Sequence, residues 1–244
     1  MVDLDNSMVL YGEETERLDR ILPINPVHGR NWTHTMRRSM QEIIPGVFLG
    51  PYLSASKSHL ESLLQNGITH IVCVRQEDEA HFIRPNFLDT FKYLIVELAD
   101  SIYESIIPHF SQVRKFLQEC RSEGGKVLIH GNNGISRSAA LVLAYIMEEY
   151  CLTFKEAFKV VQDRRYCINP NAGFIAQLEE FEPILRARRT FQLGQCSSGN
   201  QRADKRRRDH EEDNLDCIPI PPPPSPVNGQ HGGSIESMDI GFCT

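Results

Sequence analysis

The chain has 244 residues, with 24% charged and 41% hydrophobic residues and a net charge of −6 when histidine is neutral, the balance of one globular core carrying polar extensions. That charge excludes a chain-wide electrostatic grip on nucleic acid, and no apolar run approaches the roughly 18 residues that cross a bilayer, so no membrane span is expected. The seven cysteines are scattered and form no CxxC pairs, so no disulfide framework, metal site or cofactor is expected, and reduced thiols in the cytoplasm or nucleus are the plain reading. The acidic, polar start of the chain lacks the basic and apolar stretches of a secretory leader.

Three zones follow one another: a polar extension over residues 1–38, an ordered region over 39–188, and a tail over 189–244 rich in Gln, Ser, Gly, Pro and charge. The tail has too little apolar surface to offset its ordering entropy and is expected to be disordered. In the ordered region, Val47-Phe48-Leu49 is a candidate first strand. Ile68 to Arg75 is β-branched and mostly apolar, as a strand buried on both faces should be, and Phe91 to Leu98 reads the same way. Between them, Ser54 to Asn66 is expected to be helical and to end at Gly67 as its C′ residue.

Ile106 to Cys120 has helical apolar spacing. Val127-Leu128-Ile129, after Gly124-Gly125, is the clearest strand. Ser138 to Tyr150 is apolar all round and is expected to be a buried helix. Thr153-Phe154-Lys155-Glu156 has capping-box spacing for a helix to about Arg164, and Asn171 can cap a last helix ending near Arg188. The alternation predicts an α/β domain with a central, mostly parallel sheet flanked by helices.

The sharpest feature joins the Val127 strand to the Ser138 helix: His130-Gly131-Asn132-Asn133-Gly134-Ile135-Ser136-Arg137-Ser138. A turn at this place aims backbone N–H groups at one point, and the helix start adds partial positive charge there. Such a concavity holds an anion. Gly134 permits positive φ, and Arg137 supplies a planar fork for two phosphate oxygens. The spacing is not that of a Walker loop, because only two residues separate Gly131 from Gly134.

This segment resembles the signature of the cysteine-dependent dual-specificity protein phosphatases: His-Cys, two residues, Gly, one residue, Ser-Arg-Ser. Every fixed position matches except the nucleophile, where Gly131 stands. The resemblance extends over about 39–188 through Ile44-Pro45-Gly46-Val47-Phe48-Leu49-Gly50 and Asn169-Pro170-Asn171-Ala172-Gly173-Phe174. Together with Met36-Arg37-Arg38 and the run from Arg165 to Asn171, it points to the catalytically inactive members, the pseudophosphatases.

That resemblance implies a fold, a site and a consequence. In active members a thiolate attacks phosphorus, arginine stabilises the transferring oxygens and an aspartate protonates the leaving group. Arg137 matches the arginine, and Ser138 the residue that helps the thiolate leave. Asp100, 31 positions before Gly131, suits the acid. Residues 131–137 are then the phosphate-binding loop, with His130 and Ser138 as supports. Glycine offers no nucleophile, so the implied function is binding without turnover of phosphorylated Ser/Thr/Tyr proteins or of kinase and phosphatase complexes. Mitogen-activated protein kinase signalling is the leading context.

Charge adds a further expectation. Gly131 removes a thiolate that would repel phosphate, a close pair being worth ~4 kcal/mol at an effective dielectric of about 20. The added glycine flexibility costs only about 0.5–1 kcal/mol.

Plainer readings stand beside these. Asp100 could be only the cap of the next helix, and His130 only a shaping residue. Ser136 could replace the nucleophile and give a weak phosphatase, although it has no evident base in the sequence. Cys167 reads as a packed thiol, and the domain could work as a scaffold that ignores the pocket. In the tail, Lys205–Arg208 could direct nuclear import despite its acidic neighbours, and Pro221–Pro224 with Pro226 could form a polyproline ligand for an SH3 or WW domain or a stiff spacer.

Overall fold

A computed structural model describes residues 32–198, with side chains described to residue 191. Five strands form one sheet: β1 (Gln41–Ile44), β2 (Val47–Pro51), β3 (Ile68–Arg75), β4 (Lys92–Glu97) and β5 (Lys126–Gly131). Their order is β1-β2-β5-β3-β4. β1 pairs antiparallel with β2, and the remaining pairings are parallel. The expected α/β architecture is present, with β5 at its centre between β2 and β3. The apolar run Val127-Leu128-Ile129 is buried on both faces, as a central parallel strand requires.

Among the described residues, five helices follow: α1 (Leu60–Gln65), α2 (Ile107–Ser122), α3 (Arg137–Tyr150), α4 (Phe154–Arg164) and α5 (Ala172–Ser198). Helix α3 is buried continuously from Arg137 to Met147, and α2, α4 and α5 pack around it. This explains its apolar character all round. Thr153 and Glu156 close the expected capping box on α4, and the Asn171 side chain accepts from the Phe174 amide at 3.0 Å, capping α5.

Four expectations change. Strand β1 was hidden in Gln-Glu-Ile-Ile, where only the two isoleucines are fully buried. Strand β4 is an edge strand, with Lys92, Ile95 and Glu97 exposed, rather than one buried on both faces. Residues 54–66 do not form one helix. Two 3-10 turns, Tyr52–Ala55 and Lys57–His59, precede the short α1, although Gly67 does follow it with φ of 72°. Helix α5 continues to Ser198, past the expected end at Arg188, with Arg189 donating to the Met147 carbonyl and Thr190 to that of Arg186. The expected boundary at 189 therefore falls within a helix. Lys205–Arg208 and Pro221–Pro226 lie outside the described residues.

Candidate functional site: an anion cradle after β5

The segment after β5 lines a cavity of about 330 Å3. Central β5 delivers the chain to the carboxyl edge of the sheet, and buried α3 carries it away, so both ends of the loop are fixed. The loop's carbonyls are held from outside. The Tyr52 amide donates to the Asn132 carbonyl at 3.1 Å, and the Asn169 amide to that of Ile135 at 2.9 Å. Arg165 donates to the carbonyls of Asn133 and Gly134 at 3.1 and 2.8 Å. Among the described residues, no protein acceptor uses the amides of residues 132–136. With the carbonyls pulled outward, the amides are left for the cavity, the arrangement of an anion-binding nest.

Gly134 is required twice over. Its φ is 66°, and a Cβ there would stand 2.2 Å from the Gly50 carbonyl oxygen. Gly131 is different. A Cβ at this position would meet only ordinary neighbours, Ser138 Oγ and the Val74 carbonyl oxygen, each at 3.4 Å. The backbone therefore accommodates a side chain that the sequence does not supply.

Arg137 enters the cavity from the first turn of α3 with its side chain 8% exposed. Its end fork is occupied: Nη1 donates to Glu79 Oε2 at 2.5 Å and Nη2 to Oε1 at 2.9 Å, while Nη1 also reaches the Leu98 carbonyl at 3.2 Å. The Nε edge remains, 3.9 Å from Asp100 Oδ2. Burial opposes both charges, but the mutual hydrogen bonds outweigh it, holding the Glu79 carboxyl below its ordinary range and the Arg137 guanidinium above its own. Glu79 is set in place by the 3-10 turn Glu77–His81, where its carboxylate accepts from the Gln76 amide at 2.9 Å.

Asp100 lies at the cavity rather than at a helix start; α2 begins seven residues later at Ile107. Its Oδ1 accepts from Ser136 Oγ at 2.7 Å and from Asn171 Nδ2 at 2.9 Å. The sequence offered Ser136 no base, and the fold brings it a carboxylate from 36 residues away. His130 stays beneath the loop, outside the cavity lining. Complete burial pushes its pKa down to about 4 against the opposing pull of the Gly131 backbone, so it is neutral at pH 7. Ser138 Oγ is likewise buried without a partner, beside the empty Cβ position of Gly131. No cysteine lines the cavity; Cys167 is half-buried, and burial pushes the Cys73 thiol up to about 11.

Residues 131–138 and Asp100, named from the sequence, line one cavity together, and five further residues stand with them. Arg37, Asn169 and Asn171 also line the cavity, while Glu79 and Arg165 brace it. Arg37, the asparagines and Arg165 all stand in segments that carry the family resemblance, and Asn171 was also read as a helix cap. Glu79 sits in the acidic run Glu77-Asp78-Glu79, which reads locally as a solvated surface.

Residues 47–184 match the family described as dual specificity phosphatase, catalytic domain. The chain belongs to that family. Serine/threonine/tyrosine-interacting protein from Homo sapiens is 54% identical over 172 residues, 70% of this chain and 77% of the relative. Serine/threonine/tyrosine-interacting protein B from Xenopus laevis is 50% identical over 201 residues, 79% and 90% of the two chains. Dual specificity protein phosphatase 22 from Homo sapiens is 40% identical over 60% of this chain and 76% of its own. Among solved structures, the human tyrosine phosphatase-like serine/threonine/tyrosine-interacting protein superposes with a TM-score of 0.59 at 56% identity, covering 60% of this chain and 97% of that one. The dual specificity phosphatase fold therefore frames the cradle formed by the loop after β5.

Proposed function

We propose that this chain seats phosphorylated serine, threonine or tyrosine side chains of partner proteins in the 131–138 cradle and does not hydrolyse them. One observation carries the reading: the loop has its carbonyls held from outside and keeps the Arg137 Nε edge in place, yet has no side chain at Gly131. The loop and the Arg137 Nε edge would hold a phosphoryl group, with the end fork engaged by Glu79, and the atom that would accept it is absent. Binding of this kind would shield a phosphosite, anchor a kinase or compete with active phosphatases. We place it in mitogen-activated protein kinase signalling, in the cytoplasm and nucleus. The names of the relatives as interacting proteins support the binding half of this reading.

Isothermal titration of the natural chain with a phosphotyrosine peptide and its unphosphorylated twin tests it. Saturable binding of the phosphopeptide alone is expected; no detectable binding ends the proposal. A scaffold that ignores the pocket is separated by Arg137→Lys, which keeps a charge for Glu79 but loses the side edge. Arg137→Ala is less informative, since it would leave the Glu79 carboxylate buried and unpaired.

A second reading has one observation in its favour, the 2.7 Å bond from Ser136 Oγ to Asp100. It would make Ser136 a slow nucleophile. A carboxylate is a poor base for an alcohol, and this hydroxyl is also held by the Asn171 amide at 3.3 Å, so non-hydrolytic binding remains the preferred function. Turnover of 4-nitrophenyl phosphate by the natural chain, lost in Ser136→Ala, would reverse that preference.

A further inference from the structure

We propose that Asn133-Gly134 is a self-modification site, at which the loop after β5 converts its own asparagine to aspartate or isoaspartate and so closes the cradle to phosphorylated ligands. The conversion stands on the geometry of this pair alone; its effect on binding rests on the phosphate-binding reading of the loop.

Asparagine followed by glycine is the pairing in which a side-chain amide is most readily attacked by the next backbone nitrogen, because glycine has no Cβ to shield that nitrogen. Two such pairs stand among the described residues, and the fold treats them oppositely. At Asn66-Gly67 the reacting parts are engaged: Asn66 Nδ2 donates to the Ser62 carbonyl at 2.7 Å, and the Gly67 amide donates to the Leu64 carbonyl at 2.9 Å in the turn that ends α1. At Asn133-Gly134 neither is. The Asn133 side chain is exposed at the cavity, and among the described residues neither its amide group nor the Gly134 N–H has a hydrogen-bond partner. Arg165 holds the Asn133 and Gly134 carbonyls at 3.1 and 2.8 Å, so the loop keeps its shape while the nitrogen between them stays uncommitted. Partial positive charge at the start of α3 favours the amide anion that must form. Asn132 is followed by Asn133, whose Cβ shields its amide, and is a control within the same loop.

The chemistry balances with water alone. The Gly134 nitrogen gives up its proton and bonds to Asn133 Cγ; the Cγ–Nδ2 bond breaks, and ammonia leaves with a proton. Water then opens the cyclic imide. Attack at Cγ leaves aspartate, and attack at the main-chain carbonyl carbon leaves isoaspartate, with the chain running through Cγ. The first product adds a carboxylate to the cavity lining. The second lengthens the backbone beside Gly134, where the fit is tight: a Cβ there would lie 2.2 Å from the Gly50 carbonyl oxygen. An anion that draws on the Gly134 amide should slow the reaction, so that an occupied cradle lasts and an empty one ages.

The full chain is held at mildly alkaline pH and physiological temperature, in chloride or in sulfate at matched ionic strength. Peptide mapping by mass spectrometry follows each asparagine, with isoaspartate resolved from aspartate. Conversion of Asn133 well ahead of Asn66 and Asn132, slowed severalfold by sulfate and absent at this position in Asn133→Gln, is expected. An intact Asn133 after a free peptide of residues 130–138 has converted overturns the proposal, as do equal rates at Asn133 and Asn66. Asn133→Asp, which is the first product, should bind a phosphotyrosine peptide about fivefold more weakly than the natural chain; equal binding by fluorescence anisotropy overturns the closing of the cradle. Equal rates in chloride and sulfate would sever the link between occupancy and ageing. If no phosphopeptide binds either form while Asn133 converts, the phosphate-binding reading falls and the modification site stands.

Discussion

Glu79 grips the end of the Arg137 guanidinium with two hydrogen bonds and thereby decides which edge the arginine shows to the cavity. Both side chains are about nine-tenths buried. Removing either leaves the other charged and unsatisfied, so Glu79→Ala should destabilise the fold by about 3 kcal/mol, read as a lower denaturant midpoint. Glu79→Gln, which keeps an acceptor, should cost less. Equal and negligible losses for both would show that the pair carries no structural weight.

Gly131→Cys should fold normally and acquire phosphatase activity. The added Cβ meets nothing closer than 3.4 Å and lies beside Ser138 Oγ, while Arg137 and Asp100 are already positioned. Release of 4-nitrophenol by the variant, abolished when Asp100→Asn or Arg137→Lys is added, is the expected pattern. An inert but folded variant would mean that the loop, despite its outward carbonyls, does not present phosphate in line with residue 131.

Asp100→Asn in the natural chain should strengthen phosphopeptide binding. The carboxylate that faces Arg137 Nε also faces any bound anion, and asparagine retains an oxygen for the Ser136 hydroxyl. Because this side chain is 41% exposed, solvent screens the effect, and a gain of about fivefold is expected, equivalent to roughly 1 kcal/mol. Weaker binding by calorimetry would mean that Asp100 holds the ligand rather than repelling it.

Arg165→Met should damage two properties together. It empties a fully buried site of all its hydrogen bonds to the loop and to residues 37–41, leaving carbonyls unpaired at about 1–3 kcal/mol each. A lower melting temperature and a large loss of phosphopeptide affinity are expected, in contrast to Arg37→Ala, which should leave the melting temperature unchanged. Retained affinity at full occupancy of the folded state would show that the loop holds its shape without this clamp.

Acid should destabilise the protein in a window set by His130. Its folded pKa is pushed down to about 4, first by burial, against about 6.5 in an unfolded chain. Between these values the unfolded state binds more protons, so stability rises with pH across the window and falls as pH drops from about 6.5 toward 4. The full effect is on the order of 3 kcal/mol. Glu79, whose carboxyl is held below its ordinary range by Arg137, adds a loss at lower pH still. His130→Phe should flatten the upper part of the profile in urea titrations; an unchanged slope would place the acid sensitivity elsewhere.

Local patterns were enough for much of this architecture. Strand β3 appears with the limits expected of it, and α3 starts within one residue of its expected place, because deep burial demands mostly apolar runs. Strand β1 and the turns before α1 escaped notice, since two buried residues or a single 3-10 turn leave no periodic trace. The edge position of β4 escaped for another reason: an apolar composition does not say how many neighbours a strand will have.

The linear order of residues 130–138 already showed a turn between a buried strand and a buried helix, written in adjacent positions. Folding alone decided the rest. Glu79 met Arg137 across 58 positions, Asp100 met Ser136 across 36, and Arg165 reached Arg37 across 128. Charges and hydrogen-bond donors interact through space at a few ångströms, whereas their separation along the chain has no periodicity to reveal them. Which edge of Arg137 faces the cavity is therefore a property of the packed sheet and helices rather than of any motif.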